Sequence, residues 1–462
     1  MTLIKSISGI RGTIGGYPGD SLSPIDIVKF SCAFALWAKK NSAKKSIVIG
    51  RDARPSGEMV SDLVKGAVIS IGLDIIDLGL STTPTVEMAV VTEEAAGGII
   101  ITASHNPVEW NALKLLNHYG EFVSAADGKA ILSLADSSLN FAPVESLGKV
   151  NINTTYLEQH IQAILMLPQV DQTAIAAANL SVVVDGVNSS GGMAIPQLLT
   201  ALGVTKVTKL FCDPTGLFPH NPEPLPEHLT EISQTLKGGN FDMGIVVDPD
   251  VDRLAFVCED GTMYGEEYTL VTVADYLLSL TPGNTVSNLS STRALRDVTE
   301  KHGGLYFASA VGEVNVVEKM KAENAVIGGE GNGGIIYPGL HYGRDALVGI
   351  ALFLSHYVNQ GKKMSELRAS YPSYYMAKKK IQLTPEIDVN KILAGMAALY
   401  NDEQLNTIDG LKIDLADSWV HLRKSNTEPI IRIYTEAKSI NEANSLADQI
   451  IGQIGGIAKN TN

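Results

Sequence analysis

The sequence predicts a multi-domain α/β protein in which three similar mixed α/β units precede a smaller α+β unit of another type. Two observations carry most of this. A β-branched apolar run, a polar turn, a helix-periodic stretch and a second apolar run recur at 46–80, 181–210 and 284–309. After residue 366 that rhythm gives way to paired strand-like runs and one long amphipathic stretch. Length agrees, because 462 residues exceed what a single hydrophobic core organises.

Taken in order, SIVIG (46–50) is the first strong strand, followed by the turn RDARPSG, a helix over 59–71 and the strand LDIIDLGL (73–80). AGGIIITASHNP (96–107) is a buried strand running directly into a loop. The first unit is expected over 1–150, where GKVNINTTYLEQHIQAIL begins a long helix. In the second unit, 151–255, SVVVDGVNSSGG leads into a helix ending near LGVTKVTKLF, and MGIVV (243–247) runs into DPDVDRLAF. The third, 256–366, holds NTVSNLSSTRALRD and a helix ending before GGLYFASA. The fourth, 367–462, contains WVHLRKSNTEPIIRIYTEA as strand, loop and strand, then the helical NEANSLADQIIGQI; the terminal GGIAKNTN reads as a frayed tail.

Composition narrows the partners. A net charge of −14 argues against nucleic acid or an anionic membrane surface. An anionic substrate would therefore need positive charge gathered locally. No apolar run reaches the roughly 18–20 residues of a membrane span, and MTLIKSISGIRG lacks the features of a secretory leader. Cytoplasmic placement is the expectation. Cys32, Cys212 and Cys258 show no CxxC spacing and read as small buried apolar residues of a reducing compartment.

Four loops could carry chemistry. In DPDVDR, Asp248, Asp250 and Asp252 follow a buried strand at alternate positions, and Pro249 prevents simple continuation of that strand. Carboxylates this close repel one another unless a cation lies between them, and an all-oxygen set suits a hard divalent ion such as Mg²⁺. A solvated acidic turn is the plain alternative; the offsets of an EF-hand are absent. In TASHNP, Ser104 is a nucleophile if something activates it, with His105 adjacent and Lys114 ten residues on; a simple Ser/Asx turn is the alternative. No GxSxG motif supports a hydrolase elbow. GGEGNGG lets a ligand approach the backbone closely while Glu330 and Asn332 offer hydrogen bonds to vicinal hydroxyls, or it is a surface turn. RKSNTEP offers Arg423, Ser425, Asn426 and Thr427, with Arg432 in the next strand, as a phosphate cradle, or it is an ordinary hairpin loop. Arg11 in GIRG, and Arg51 and Arg54 in RDARPSG, would each alone read as surface charges.

In this order the loops resemble the α-D-phosphohexomutase superfamily, which includes phosphoglucomutase, phosphomannomutase and phosphoglucosamine mutase, over essentially the whole chain. The resemblance implies an isomerase of four domains in a heart-shaped arrangement. It makes Ser104 the phosphoryl carrier, and Asp248, Asp250 and Asp252 the holders of one Mg²⁺ together with the Ser104 phosphate. Glu330 and Asn332 would face the sugar hydroxyls, and Arg423, Ser425, Asn426, Thr427 and Arg432 would hold the distal phosphate. Arg11, Lys114 and Arg253 would stabilise the transition state, with Lys114 shuttling the hydroxyl proton at a lowered pKa. Hexose 1-phosphate and 6-phosphate would interconvert through a hexose 1,6-bisphosphate. Asn332 and Gly334 stand where several members carry Ser and His, and Glu313 where some use His. The sugar loop's departure from Ser and His, with the need for such an enzyme in supplying cell-wall precursors, makes phosphoglucosamine the leading substrate, with glucose and mannose phosphates next. A monomer or homodimer is expected. The rival from another class is a Mg²⁺-dependent sugar phosphatase with Asp248 as nucleophile, which leaves the Arg423 loop idle; a non-catalytic sugar-phosphate sensor is a third reading.

Overall fold

A computed structural model of the chain describes residues 1–6, 9–382, 388–424 and 430–460, the side chains as far as 458. The apolar runs become central strands because their side chains are buried on both faces, as parallel strands covered by helices require. The first sheet contains β1 (Ile4–Ser6), β2 (Gly9–Thr13), β3 (Ser46–Arg51), β4 (Asp74–Leu80), β5 (Gly97–Ile101), β6 (Trp110–Leu116) and β7 (Val150–Ile152), in the order β1-β2-β6-β5-β3-β4-β7. The second contains β8 (Ser181–Asp185), β9 (Lys206–Leu210), β10 (Met243–Val247) and β11 (Leu254–Cys258), ordered β11-β10-β8-β9. The third contains β12 (Asn284–Asn288), β13 (Tyr306–Ser309), β14 (Ala325–Glu330) and β15 (Gly334–Ile336), ordered β15-β14-β12-β13 when read from its β15 edge.

The same four-strand pattern lies in all three sheets. Two parallel strands joined through a helix, β3/β4, β8/β9 and β12/β13, sit beside a third parallel strand, β5, β10 or β14. That strand turns back into an antiparallel one, β6, β11 or β15. The turns at these three equivalent places are the segments holding TASHNP, DPDVDR and the GNG of GGEGNGG. Each lies at the carboxyl end of a central parallel strand, where α/β sheets present ligand sites.

The fourth sheet is of a different kind: β16 (Tyr375–Gln382), β17 (Gln404–Asn406), β18 (Leu411–Asp414), β19 (Trp419–Lys424) and β20 (Ile430–Ala437) pair antiparallel in the order β16-β20-β19-β18-β17. Helices Val389–Leu399 and Ile440–Asn460 cover it, burying Ile392, Met396 and Ile450 against Leu422 and Ile433.

Two local expectations change. The stretch from 150 is not one long helix: it pairs as β7 with β4, and the following helix, Tyr156–Leu165, is short. The terminal GGIAKN is not a tail, because the last helix runs to Asn460. Its glycines cost helix propensity, but the apolar stripe of Ala447, Ile450 and Ile454 packs on the sheet and carries the helix onward.

The second and third sheets are not independently packed. One apolar cluster runs from Leu157 to Tyr371, with the helix Ala346–Gln360 buried between the helix Glu266–Leu280 and the helices of the second unit. Among the described residues no helix is long and apolar enough to cross a membrane.

Candidate active site

The Ser104 loop is built around a buried arginine. Asp52 accepts hydrogen bonds from Thr102 Oγ1 (2.6 Å), Arg54 Nε (3.1 Å) and the Arg54 backbone N–H (3.0 Å). The Arg54 guanidinium, 1% exposed, then donates to the carbonyls of Ser104, Asn106, Pro107 and Trp110 at 2.5–3.0 Å. A loop whose carbonyls converge on one cation cannot relax into an ordinary turn. Ser104 sits at φ 49°, a left-handed conformation costing about 1–2 kcal/mol for a residue with a Cβ, and its N–H is anchored on Thr102 Oγ1 at 3.0 Å. The side chain is thereby aimed outward, and Oγ donates to Asp248 Oδ2 at 2.7 Å.

Asp248 closes the facing turn. Its Oδ1 accepts the N–H groups of Asp252 (3.2 Å) and Arg253 (3.1 Å), and Val251 takes φ 65° to complete the loop. All three aspartates are buried, each offering a carboxylate oxygen within 4.8 Å of the others. Asp250 Oδ2 accepts from Lys114 Nζ (2.6 Å) and Thr83 Oγ1 (2.5 Å); Asp252 Oδ2 accepts from Arg344 Nη2 (2.7 Å) and Lys114 Nζ (3.1 Å). Asp250 Oδ1 and Asp252 Oδ1 are buried without any hydrogen-bond partner. Leaving two carboxylate oxygens so placed is costly unless a cation accepts them. The donor set, hard oxygens converging beside Ser104, fits a divalent metal ion.

Electrostatics divides the triad. Burial, then the repulsion of Asp252 and Asp250, pushes Asp248 well above the usual carboxylate range. Burial acts the same way on Asp252, but Arg344, Lys114 and Arg253 outweigh it and hold that carboxyl low. Lys114 was expected at a lowered pKa between cations. Burial does work in that direction, but Asp250 and Asp252 prevail and raise it. With two carboxylates in contact it is held as a charged ammonium, so the expected lowering of its pKa is corrected.

The glycine-rich turn meets the metal loop directly. Gly333 takes φ 86° and its carbonyl accepts the Leu254 N–H at 3.0 Å; a Cβ there would lie 2.3 Å from the Leu254 carbonyl oxygen. Glu330 is 5% exposed, accepting from Asn288 Nδ2 (2.8 Å), the Gly312 N–H (3.1 Å) and Arg344 Nη1 (3.0 Å). Asn332 accepts from the Gly334 N–H at 3.2 Å. Arg344 also grips Glu313 through Nε at 2.9 Å, and burial pushes the Glu313 carboxyl up to about 7 against that attraction.

These loops open on a cavity of about 400 Å³ to which all four sheets' units contribute. Arg11 and His105 line it from the first unit, Arg253 and Glu223 from the second, Glu330 and Asn332 from the third, and Lys378, Arg423 and Arg432 from the fourth. Arg253 Nη1 pairs with Glu223 at 3.0 Å while its Nε is buried without a partner. Burial and Arg253 lower Arg11 below the usual arginine value. Arg423 lies 3.5 Å from Asp409. Ser425, Asn426 and Thr427 lie outside the described residues. Five cations thus line the cavity of an acidic chain, beside four glutamates, Glu223, Glu266, Glu267 and Glu330. Arg11 and Arg54, read alone as surface charges, are not: one lines the cavity, the other is the centre of a loop. Thr83, Glu223, Arg344 and Lys378 were missed, because each acts on a partner far away in sequence and none sits in a recognisable pattern.

Comparison with known proteins covers the same span. Domains I, II and III described as phosphoglucomutase/phosphomannomutase, alpha/beta/alpha, match residues 3–140, 156–261 and 265–375, and the C-terminal domain of that family matches 378–453. A phosphoglucomutase/phosphomannomutase of Thermococcus kodakarensis is 35% identical, over 94% of this chain and 95% of its own. A phosphoglucosamine/phosphogalactosamine mutase of Sulfurisphaera tokodaii is 32% identical, over 96% and 97%. The crystal structure of a phosphoglucomutase/phosphomannomutase family protein from Burkholderia thailandensis superimposes with a TM-score of 0.86 at 24% identity, covering 98% of this chain and 97% of the other. The open form of the Paramecium phosphoprotein parafusin, a phosphoglucomutase, gives 0.77 at 17% identity, covering 98% and 94%.

Proposed function

The chain belongs to the phosphoglucomutase/phosphomannomutase family, and from that premise we propose that it interconverts hexose 1-phosphate and hexose 6-phosphate through phosphorylated Ser104. It is a phosphohexomutase, an isomerase acting by phosphoryl transfer on a sugar phosphate. The observation that carries the finer reading is Ser104 Oγ, 2.7 Å from Asp248 Oδ2 of a triad with two orphaned carboxylate oxygens, its neighbour His105 lining the cavity shared by all four units.

Phosphoryl transfer needs alignment and charge neutralisation more than covalent assistance. Asp248, Asp250 and Asp252 would hold Mg²⁺ against the Ser104 phosphate, where the ion supplies Lewis-acid neutralisation of the phosphoryl oxygens. Lys114, kept charged by Asp250 and Asp252, and Arg11 and Arg253, which line the cavity, would stabilise the transition state. Arg423 and Arg432, with Ser425, Asn426 and Thr427 of the same hairpin, hold the phosphate that is not reacting. Glu330 and Asn332 orient the sugar hydroxyls. As the Ser104–phosphate bond breaks, the free 6-hydroxyl of hexose 1-phosphate takes the phosphoryl group and its proton ends on the released Ser104 Oγ, giving the 1,6-bisphosphate and a neutral serine. The bisphosphate turns over within the cavity and returns its other phosphoryl group to Ser104. Binding energy from the distal phosphate is spent far from the chemistry, which favours closure and exclusion of water.

Phosphoglucosamine is the leading substrate, supported by Asn332 and Gly334 in the sugar loop and by the name of the Sulfurisphaera relative; glucose and mannose phosphates follow. Rates on the three 1-phosphates, each with a trace of its own 1,6-bisphosphate, rank them.

Ser104→Ala is expected to keep sugar-phosphate affinity within about threefold while turnover falls by at least about 10³-fold, the scale lost when a covalent step is removed. Peptide mass spectrometry of the wild type should find phosphate on Ser104. An acyl phosphate on Asp248, or near-normal turnover of the variant, replaces this reading with the phosphatase.

A further inference from the structure

Behind the metal loop lies a second cluster of ligating groups that the mutase reaction does not use. His160 stands on the helix Tyr156–Leu165, and His341 and Asp345 precede the helix Ala346–Gln360. His160 Nε2 is 2.9 Å and His341 Nε2 3.3 Å from the same oxygen, Asp345 Oδ2. The two rings stand edge to face at 87°. In a tetrahedral zinc site with bonds near 2.0–2.1 Å, neighbouring ligand atoms lie roughly 3.3 Å apart; the two spacings to Asp345 are close to that, and all three ligand atoms lie within 4.8 Å of one another.

Outer groups are placed as such a shell needs. A ligating histidine ordinarily uses its other nitrogen to bind an oxygen that fixes ring and tautomer. Thr85 Oγ1 lies 3.0 Å from His160 Nδ1. Glu87 Oε2 lies 3.5 Å from His341 Nδ1. Glu87 is 1% exposed, yet neither of its oxygens has a hydrogen-bond partner, nor has His341 Nδ1. A fully buried carboxyl aimed into a histidine cluster, with no hydrogen bond and only the 3.5 Å approach of His341, is the independent sign that a cation belongs there.

We propose that His160 Nε2, His341 Nε2 and Asp345 Oδ2 form a second metal site, selective for a borderline cation of the zinc and cobalt class. Imidazole ligands suit that class, whereas Mg²⁺ favours the all-oxygen aspartate triad, so the two sites take different ions. With the outer groups Thr85 and Glu87 reaching the shell from the first unit, the ion fastens the second and third units together. It does so directly behind Thr83 and Arg344, the side chains that hold Asp250 and Asp252.

The test uses full-length protein stripped with chelator, then given excess Mg²⁺ to occupy the triad and titrated with Co²⁺. One equivalent should develop the strong visible band of four-coordinate cobalt with nitrogen ligands. One equivalent of Zn²⁺ should bleach it, and Zn²⁺ alone should raise Tm by several degrees. Asp250→Asn should keep both responses; His160→Gln and His341→Gln should lose both. Wild-type protein that shows neither response, or a band that survives in both histidine variants, overturns the site and leaves a hydrogen-bonded His–Asp–His node. Because the wild type and Asp250→Asn decide the matter, poor folding of a histidine variant does not obscure the result.

Discussion

Arg344 joins three carboxylates that belong to different loops: Asp252 of the metal turn, Glu330 of the glycine-rich turn and Glu313. Removing one partner of a buried ionic network strands the others, at a cost of about 3–5 kcal/mol. Arg344→Ala is therefore expected to lower stability by that amount in denaturant titration and to depress turnover together with it. Unchanged stability would mean the carboxylates are otherwise satisfied. His220 makes a smaller, pH-dependent contribution, pairing with Asp185 at 3.0 Å and steadying the segment that carries Glu223 into the cavity wall. Burial opposes its charge, but the hydrogen bond and charge of Asp185 raise its pKa. A folded value above the unfolded one of about 6.5 gives stabilisation that is complete below that pH and fades as pH rises through the folded value. The Tm gap between wild type and His220→Gln should thus be widest near about pH 5.5 and shrink by about pH 8.5; a gap that widens refutes the pairing. At this scale, Ser104 and the aspartates were legible because a polar residue directly after a buried strand has few structural reasons to be there. Arg344 was not, since nothing in GRD announces partners fourteen, thirty-one and ninety-two positions away.

Elements explain why those loops meet. TASHNP, DPDVDR and GNG occupy the same turn in three sheets that share a four-strand pattern, so a single structural position carries the proposed phosphoryl carrier, an acidic triad and a glycine-rich turn. The repeat itself was readable from apolar periodicity, including the parallel pairs β3/β4, β8/β9 and β12/β13. The equivalence of the turns was not, because it depends on which strand lies next to which, and periodicity carries no such information. The same limit explains β7: VNI is fully exposed and becomes a strand only by pairing with the edge of β4. Shaping each turn falls to side chains outside it. Arg54→Ala should leave four loop carbonyls without their donor, costing a few kcal/mol, and should lower kcat far more than it changes KM. Arg54→Lys should rescue little, since one ammonium cannot serve carbonyls on both branches of a guanidinium. Full rescue by lysine would show that charge alone shapes the loop.

Across the whole molecule, a chain of net charge −14 must admit a phosphorylated sugar, and Arg11, Arg253, Lys378, Arg423 and Arg432 supply positive charge in the cavity, beside four glutamates of the same wall. Arg423→Ala is expected to raise KM by about 10- to 100-fold, the equivalent of one charged hydrogen-bonding contact, with Tm moved by no more than about 2 °C. A large fall in Tm instead would make Arg423 a structural residue. The core that runs unbroken from Leu157 to Tyr371 separates the units into two classes. The last unit has a core of its own around Met396 and Ile433 and presents its arginines to the cavity from outside. It can be exchanged as a cassette for the corresponding part of a relative, whereas chimeras joined between the second and third sheets would have to rebuild an interior that neither parent possesses alone.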